Sequence, residues 1–178
     1  MAAVLLMSNP QAIVRAFAHD GLAPHELCST ANQLVAGTVA PGKYITFFYA
    51  VVDAVRMRLD YCSPGHNPPM LQHRDGTPET LGAGGPLLGV IPGACYASGI
   101  TELRPGDCLV LYTDGISEAM NAKDEEFGEV RLNGVVQPAA QQRRVPRTDN
   151  GSRGAVLKWR LPRRRDCAGH DGELRWAG

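Results

Sequence analysis

The stretch that most constrains this chain is Leu103–Glu118, LRPGDCLVLYTDGISE. Pro105, Gly106 and Asp107 are turn residues, each for its own backbone reason. The run Cys108–Tyr112 (CLVLY) is short, continuously apolar and rich in strand-favouring residues, the pattern of a buried strand. Thr113, Asp114 and Gly115 follow it. Gly115 is expected to let the backbone turn sharply. Asp114 is then held at a strand terminus, a rigid place from which to offer a carboxylate to a metal. A local role is equally available to it, as the cap of a turn or of a helix beginning near Ser117.

The chain has 178 residues, enough for one domain with its own core. Hydrophobic content of 44% and charged content of 20% fit a soluble globular protein. No run of about 18 apolar residues exists, so no membrane-spanning segment is predicted. The apolar start, Met1–Met7, lacks a basic leader and a clear cleavage site. The cysteines are Cys28, Cys62, Cys95, Cys108 and Cys167, widely spaced and without a CxxC pair. That pattern predicts reduced thiols and a cytoplasmic location rather than a disulfide framework or a zinc site.

The formal net charge of zero hides an asymmetry. Residues 1–140 hold 8 Lys+Arg against 14 Asp+Glu (8 − 14 = −6), and residues 141–178 hold 10 against 4 (10 − 4 = +6). Such a break marks a domain edge. The expected division is a globular part over 1–137 and an Arg-rich, poorly ordered tail over 138–178, since the tail shows no sustained period of 2 or 3.6.

Helices are predicted over Ala2–Ala18, interrupted near Pro10, and from Pro24 to about Val39, with Leu27, Ala31, Leu34 and Val35 facing the core. Tyr44–Asp53 reads as a central strand. Arg56–Tyr61 alternates like a half-buried strand joined to it by a short turn near Ala54. Ser63–Pro69 is a loop, Met70–His73 a strand, Gly82–Gly85 a flexible stretch and Tyr96–Thr101 a further strand. A helix is expected to begin at Glu118, and a short one over Val130–Val136.

Several pieces now stand in one order: AAVLLM (Ala2–Met7), TFFYAVVD (Thr46–Asp53), LDYCSPGHNPPML (Leu59–Leu71), GGPLLGV (Gly84–Val90), LRPGDCLVLYTDGISEAMN (Leu103–Asn121) and Phe127-Gly128. Together they resemble the catalytic domain of SpoIIE-type, metal-dependent (type 2C) serine/threonine protein phosphatases, over roughly residues 1 to 136. The resemblance implies an α+β fold, a four-layer α-β-β-α sandwich here truncated. It implies two Mg²⁺ or Mn²⁺ ions held mainly by carboxylates, which activate a water for in-line attack on phosphoserine or phosphothreonine. Asp114 matches the metal-binding aspartate of the YTDG motif. Gly115 is its companion, either permitting the turn or placing an amide near metal-bound water. His66 and Asn67 match the GHN loop, where His66 either orders the loop or takes part in catalysis. The implied partner is a phosphorylated regulatory protein such as an anti-sigma-factor antagonist; neither a membrane nor a nucleic acid is expected.

Two departures are visible. The family's Asp-x-Ser-Gly-x-Gly element, which precedes the AAVLLM helix and supplies metal ligands, is not present, and neither is its closing DD-x-T strand. Asp166 and Asp171 stand isolated in a basic context. The expectation is a phosphatase domain incomplete at both ends, with a tail resembling out-of-frame translation, inactive as it stands. The alternative is a pseudophosphatase that binds a partner without chemistry.

Overall fold

The computed structural model describes residues 12–17, 21–37, 44–121, 124–128, 131–132, 156–160 and 173–177. In chain order its elements are α1 (residues 12–17), α2 (Pro24–Val35), β1 (Tyr49–Asp53), β2 (Arg58–Pro64), β3 (Met70–Gln72), β4 (Pro78–Thr80), β5 (Gly84–Gly85), β6 (Gly99–Glu102), β7 (Cys108–Tyr112), α3 (Asp114–Ser117), β8 (Val156–Arg160) and β9 (Glu173–Ala177). They belong to two compact units. One draws on Met1–His66, Gly82–Glu102 and Cys167–Gly178, the other on Asn67–Leu81 and Leu103–Asp166.

The first unit holds a mixed sheet in the order β5-β2-β1-β9, with β6 also paired to β2. β1 and β2 form the predicted antiparallel hairpin, Tyr49 opposite Cys62 and Asp53 opposite Arg58. Its turn is closed by Asp53 Oδ1, which accepts from the amides of Val55 (3.0 Å) and Arg56 (2.7 Å). Met57 ends that turn at φ 53, a left-handed conformation that suits glycine better than a long side chain.

Helix α2 lies against this sheet. Leu27, Cys28, Ala31 and Val35 are buried with Phe47, Tyr49, Cys62 and Leu88 in one core cluster. Leu34 was expected to share that face, but it is 49% exposed. The helical repeat carries the buried stripe through positions 24, 27, 28, 31 and 35 and leaves 34 off it. Asn32 occupies the polar place in the stripe. Its fully buried amide donates to the Ile91 carbonyl (2.9 Å) and accepts from the Gly89 amide (2.8 Å), pinning the 89–91 loop to the helix. At the N-terminus Ala23 has no capping side chain, so the orphan amides are served from elsewhere. Glu26 Oε2 accepts from the Ala23 amide (2.8 Å), and Ser98 Oγ accepts from the His25 amide (3.1 Å).

The segment Gly82–Gly85, expected to be flexible, contains β5. It pairs in parallel with Ser63 and Pro64 of β2. A Cβ on Gly84 would collide with the Ser63 backbone, so Gly84 permits two backbones to touch rather than supplying flexibility.

The second unit holds an antiparallel sheet in the order β4-β3-β7-β8. β7 occupies the residues predicted for it, Cys108–Tyr112, and is interior to the sheet. Met70, Val110, Tyr112 and Leu132 form its core cluster, with Ile116 and Phe127 packed against them.

Strands β8 and β9 fall in the segment 138–178 that the sequence led us to expect to be poorly ordered. At these ten positions the structure describes strands. β8 pairs antiparallel with β7, Leu157 opposite Leu111 and Trp159 opposite Leu109. β9 pairs antiparallel with β1, Leu174 opposite Val52 and Trp176 opposite Ala50. Each is a five-residue strand completing a sheet begun far away in sequence, which local periodicity does not reveal. The second helix, expected to run to about Val39, ends at Val35 with Ala36 as its C-cap. The rest of 138–178, including Asp166 and Asp171, lies outside the described residues, as do the expected kink at Pro10 and most of the expected helix over 130–136.

Candidate phosphatase site

Asp114 begins α3, one helical turn, immediately after β7. Two expectations are corrected here. The helix starts at Asp114 itself rather than near Ser117, and Glu118 is its C-cap residue instead of a helix start. Gly115 is a helical residue without the positive φ that marks seven other glycines, so no sharp turn demands a glycine there. Its amide bends back to donate to Asp114 Oδ1 (2.8 Å).

The turn is anchored by its apolar member. Ile116 packs on the cluster of Met70, Val110 and Tyr112. Residues two apart on a helix point about 200° apart, so burying Ile116 turns Asp114 outward, where it is exposed. The Asp114 carbonyl accepts from the Glu118 amide (2.8 Å) and from Ser117 Oγ (3.2 Å). Downstream, the acidic turn is closed by Asn121, whose side chain bonds Glu125 at both its amide (3.1 Å) and its carboxylate (2.9 Å). The Phe127 amide donates to the Ala119 carbonyl (2.7 Å), which brings the Phe127 ring into the same apolar cluster.

His66 and Asn67 follow Gly65, which sits at φ 60. A Cβ at Gly65 would come 2.6 Å from Leu87 Cδ2, so the GHN loop needs its glycine for both conformation and space. The loop is tied in at its base: the Gly65 amide donates to the Gly85 carbonyl (3.2 Å), and the Phe47 amide to the Pro64 carbonyl (2.9 Å). His66 is half-buried, its ring tilted 52° to that of Phe48 at a centroid separation of 6.4 Å. Its carbonyl accepts a long bond from Ser63 Oγ (3.5 Å). Asn67 is half-buried in the other unit, which begins with it.

The metal site implied by the resemblance can be tested on its donors. A dinuclear Mg²⁺ or Mn²⁺ centre needs several oxygen ligands converging on each ion. Asp114 brings one carboxylate, and one of its oxygens already accepts from Gly115. Among the described residues, no three His, Cys, Asp or Glu side chains converge as a cation cradle. The described residues therefore do not fit a dinuclear centre. Nor does a cysteine nucleophile offer itself in the α2 core. Cys28 and Cys62 are fully buried, and the hydrogen bond between them, reinforced by burial, pushes the Cys28 thiol far up.

Sequence reasoning passed over a second polar cluster, around Asp107. Asp107 is fully buried. Its carboxylate accepts from the amides of Arg74 (3.0 Å) and Arg104 (2.9 Å) and meets His73 Nδ1 at 3.0 Å. The PGD turn signalled an aspartate bonded to backbone, but no spacing in the sequence joins it to residues 33 and 34 positions earlier.

An α+β chain with a YTDG turn after an interior strand and a GHN loop following β2 shares the fold of PP2C-type phosphatase domains. The model of the family described as Stage II sporulation protein E (SpoIIE) matches residues 1–149, and the chain belongs to that family. It is similar to the phosphoserine phosphatase RsbU of Bacillus subtilis, 30% identical over 117 residues, which cover 65% of this chain and 35% of RsbU. The SiaA-PP2C domain of Pseudomonas aeruginosa shares the fold at a TM-score of 0.66 and 18% identity, over 90% of this chain and 70% of that one. The structure of the RsbU and RsbW domains of Rv1364c from Mycobacterium tuberculosis matches at a TM-score of 0.57 and 26% identity, over 67% of this chain and 34% of that one. The chain thus spans about a third of the length of RsbU. Among the described residues, no helix is long and apolar enough to cross a membrane.

Proposed function

We propose that this chain carries the fold and one metal-site carboxylate of a phosphoserine/phosphothreonine protein phosphatase of the bacterial regulatory type, and that it does not turn substrate over as it stands. The observation that carries this reading is Asp114: an exposed carboxylate at the end of β7 that, among the described residues, belongs to no group of three or more His, Cys, Asp or Glu side chains able to hold a metal ion. Membership of the SpoIIE family and likeness to a phosphoserine phosphatase support the reaction class. Mg²⁺ or Mn²⁺ is the cofactor this reading assigns, because a carboxylate suits a hard divalent ion. Asp114 is its ligand in this reading, with Gly115 fixing the carboxylate through its amide and His66 and Asn67 ordering their loop. The substrate is a phosphorylated regulatory protein in the cytoplasm, of the anti-sigma-factor-antagonist kind. A relative that carries RsbU and RsbW domains in one chain supports a place in such regulation.

The test is hydrolysis of an aryl phosphate and of a phosphoserine peptide by the purified chain with Mn²⁺. The expected result is no release of phosphate above the blank. Turnover that needs Mn²⁺ and is lost in Asp114→Asn would overturn the claim of inactivity. The same lack of a cradle favours a second reading, a pseudophosphatase that binds its partner without chemistry. Partner affinity that survives both EDTA and Asp114→Asn would select it.

A further inference from the structure

The ring of His73 lies between two carboxylates. Nδ1 is 3.0 Å from Asp107 Oδ2, and Nε2 is 3.2 Å from Glu79 Oε2. Asp107 sits in the turn before β7 and already accepts from the amides of Arg74 and Arg104. Glu79 is the middle residue of β4, the edge strand of its sheet. A neutral imidazole has one N–H and one lone pair. It can donate to one carboxylate, and then turns its lone pair on the other. Both contacts are hydrogen bonds only when both ring nitrogens carry protons.

Among the described residues, the other charges near the ring are Arg74 and Asp75 of the β3–β4 turn and Arg104 of the turn before β7. Arg104 and Asp75 form a loose pair with each other at 3.7 Å, and Asp75 also accepts from the Thr77 amide (2.9 Å). The imidazole bridges the two carboxylates, one ring nitrogen to each. The His73 side chain is 15% exposed, that of Glu79 39% and that of Asp107 0%.

We propose that a proton on His73 latches edge strand β4 to the turn before β7, so that the β3–β4 hairpin loosens when the pH rises and the proton leaves. This latch is independent of the phosphatase reading, since its residues are not those of the candidate site. Burial pushes the proton affinity of His73 down, but the bonds and charges of Asp107, then of Glu79, outweigh it and the net direction is up. A histidine whose folded value is raised stabilises fully below its ordinary 6.5, and that contribution is lost as the pH rises through the folded value. The hairpin is therefore tight in mild acid and loose in base.

The experiment follows the His73 ring by ¹H–¹⁵N correlation spectra of the labelled full chain across pH, with hydrogen exchange at the His73 and Leu81 amides. Those amides bond Thr77 O (2.9 Å) and Pro69 O (2.8 Å) in the hairpin. The expected result has three parts. The ring titrates above 6.5. Glu79→Gln, a change at a partly exposed side chain, moves that midpoint down. Protection of the two amides, corrected for intrinsic exchange, falls about two- to fivefold through the midpoint in the wild type, the range for a partly exposed ion pair, and does not change with pH in Glu79→Gln. A midpoint at or below 6.5, a midpoint unmoved by Glu79→Gln, or protection indifferent to pH in the wild type each overturns the latch.

Discussion

Replacing Asp107 by alanine is the sharpest stability test the structure offers. The side chain is fully buried, and its oxygens receive the Arg74 amide, the Arg104 amide and His73 Nδ1, all at 2.9–3.0 Å. Alanine leaves two backbone donors and one ring nitrogen without an acceptor. Each orphaned donor, in a bond that is only partly buried, costs up to about 1–3 kcal/mol. Loss of one member of a buried charged pair costs about 3–5 kcal/mol in total, which agrees with the two amides plus part of the histidine. Set against a domain stability of about 5–15 kcal/mol, that is a large fraction. For a chain of this length it lowers the melting temperature by roughly 6–20 °C, at about 2–4 °C per kcal/mol. Asp107→Asn keeps the shape but turns an NH₂ toward a donor, so it recovers only part of the loss. Glu102→Ala, at an exposed position at the end of β6, is the control and stays within about 0.5 kcal/mol of wild type. Urea titration followed by far-ultraviolet circular dichroism reads all three variants. An Asp107→Ala protein within about 1 kcal/mol of wild type would refute the view that the PGD turn is held by this carboxylate.

Other outcomes follow from single residues. Met57→Gly relieves a left-handed backbone at φ 53 and raises stability by about 0.5–1 kcal/mol after the extra chain entropy of glycine is counted; the shift in urea midpoint measures it. Asn32→Ala orphans the Gly89 amide and the Ile91 carbonyl. It costs about 1–3 kcal/mol and should speed hydrogen exchange at Gly89 more than at β1 amides.

The parts of the fold legible in the sequence were those whose signal is local. CLVLY, bounded by turn residues on both sides, is a strand over the predicted residues. Pro24 starts α2, and the turn after Asp53 joins the predicted hairpin. What escaped was set by partners distant in sequence. Nothing in VLKWR or ELRWA announces a strand until β7 and β1 lie beside them. Gly84 and Gly85 read as flexible because a glycine that makes room for a neighbouring backbone looks the same, in one dimension, as a glycine that makes room for motion. Gly115 misled in the opposite direction, since a helical glycine after a strand resembles a turn glycine. In the site, Asp114 was legible because a strand end followed by Asp-Gly is a local pattern. The clasp of Asp107 with His73 was not, because the two residues are 34 apart and meet only when β3 and β7 pair.

Asp114 stands as a carboxylate on which, among the described residues, no group of ligands able to hold a dinuclear centre converges. The most direct measurement is calorimetric titration of Mn²⁺ into the wild-type chain and into Asp114→Asn. The predicted result is binding no tighter than about the millimolar range in both, as expected for too few oxygen ligands. A micromolar site in the wild type that vanishes in Asp114→Asn would contradict it.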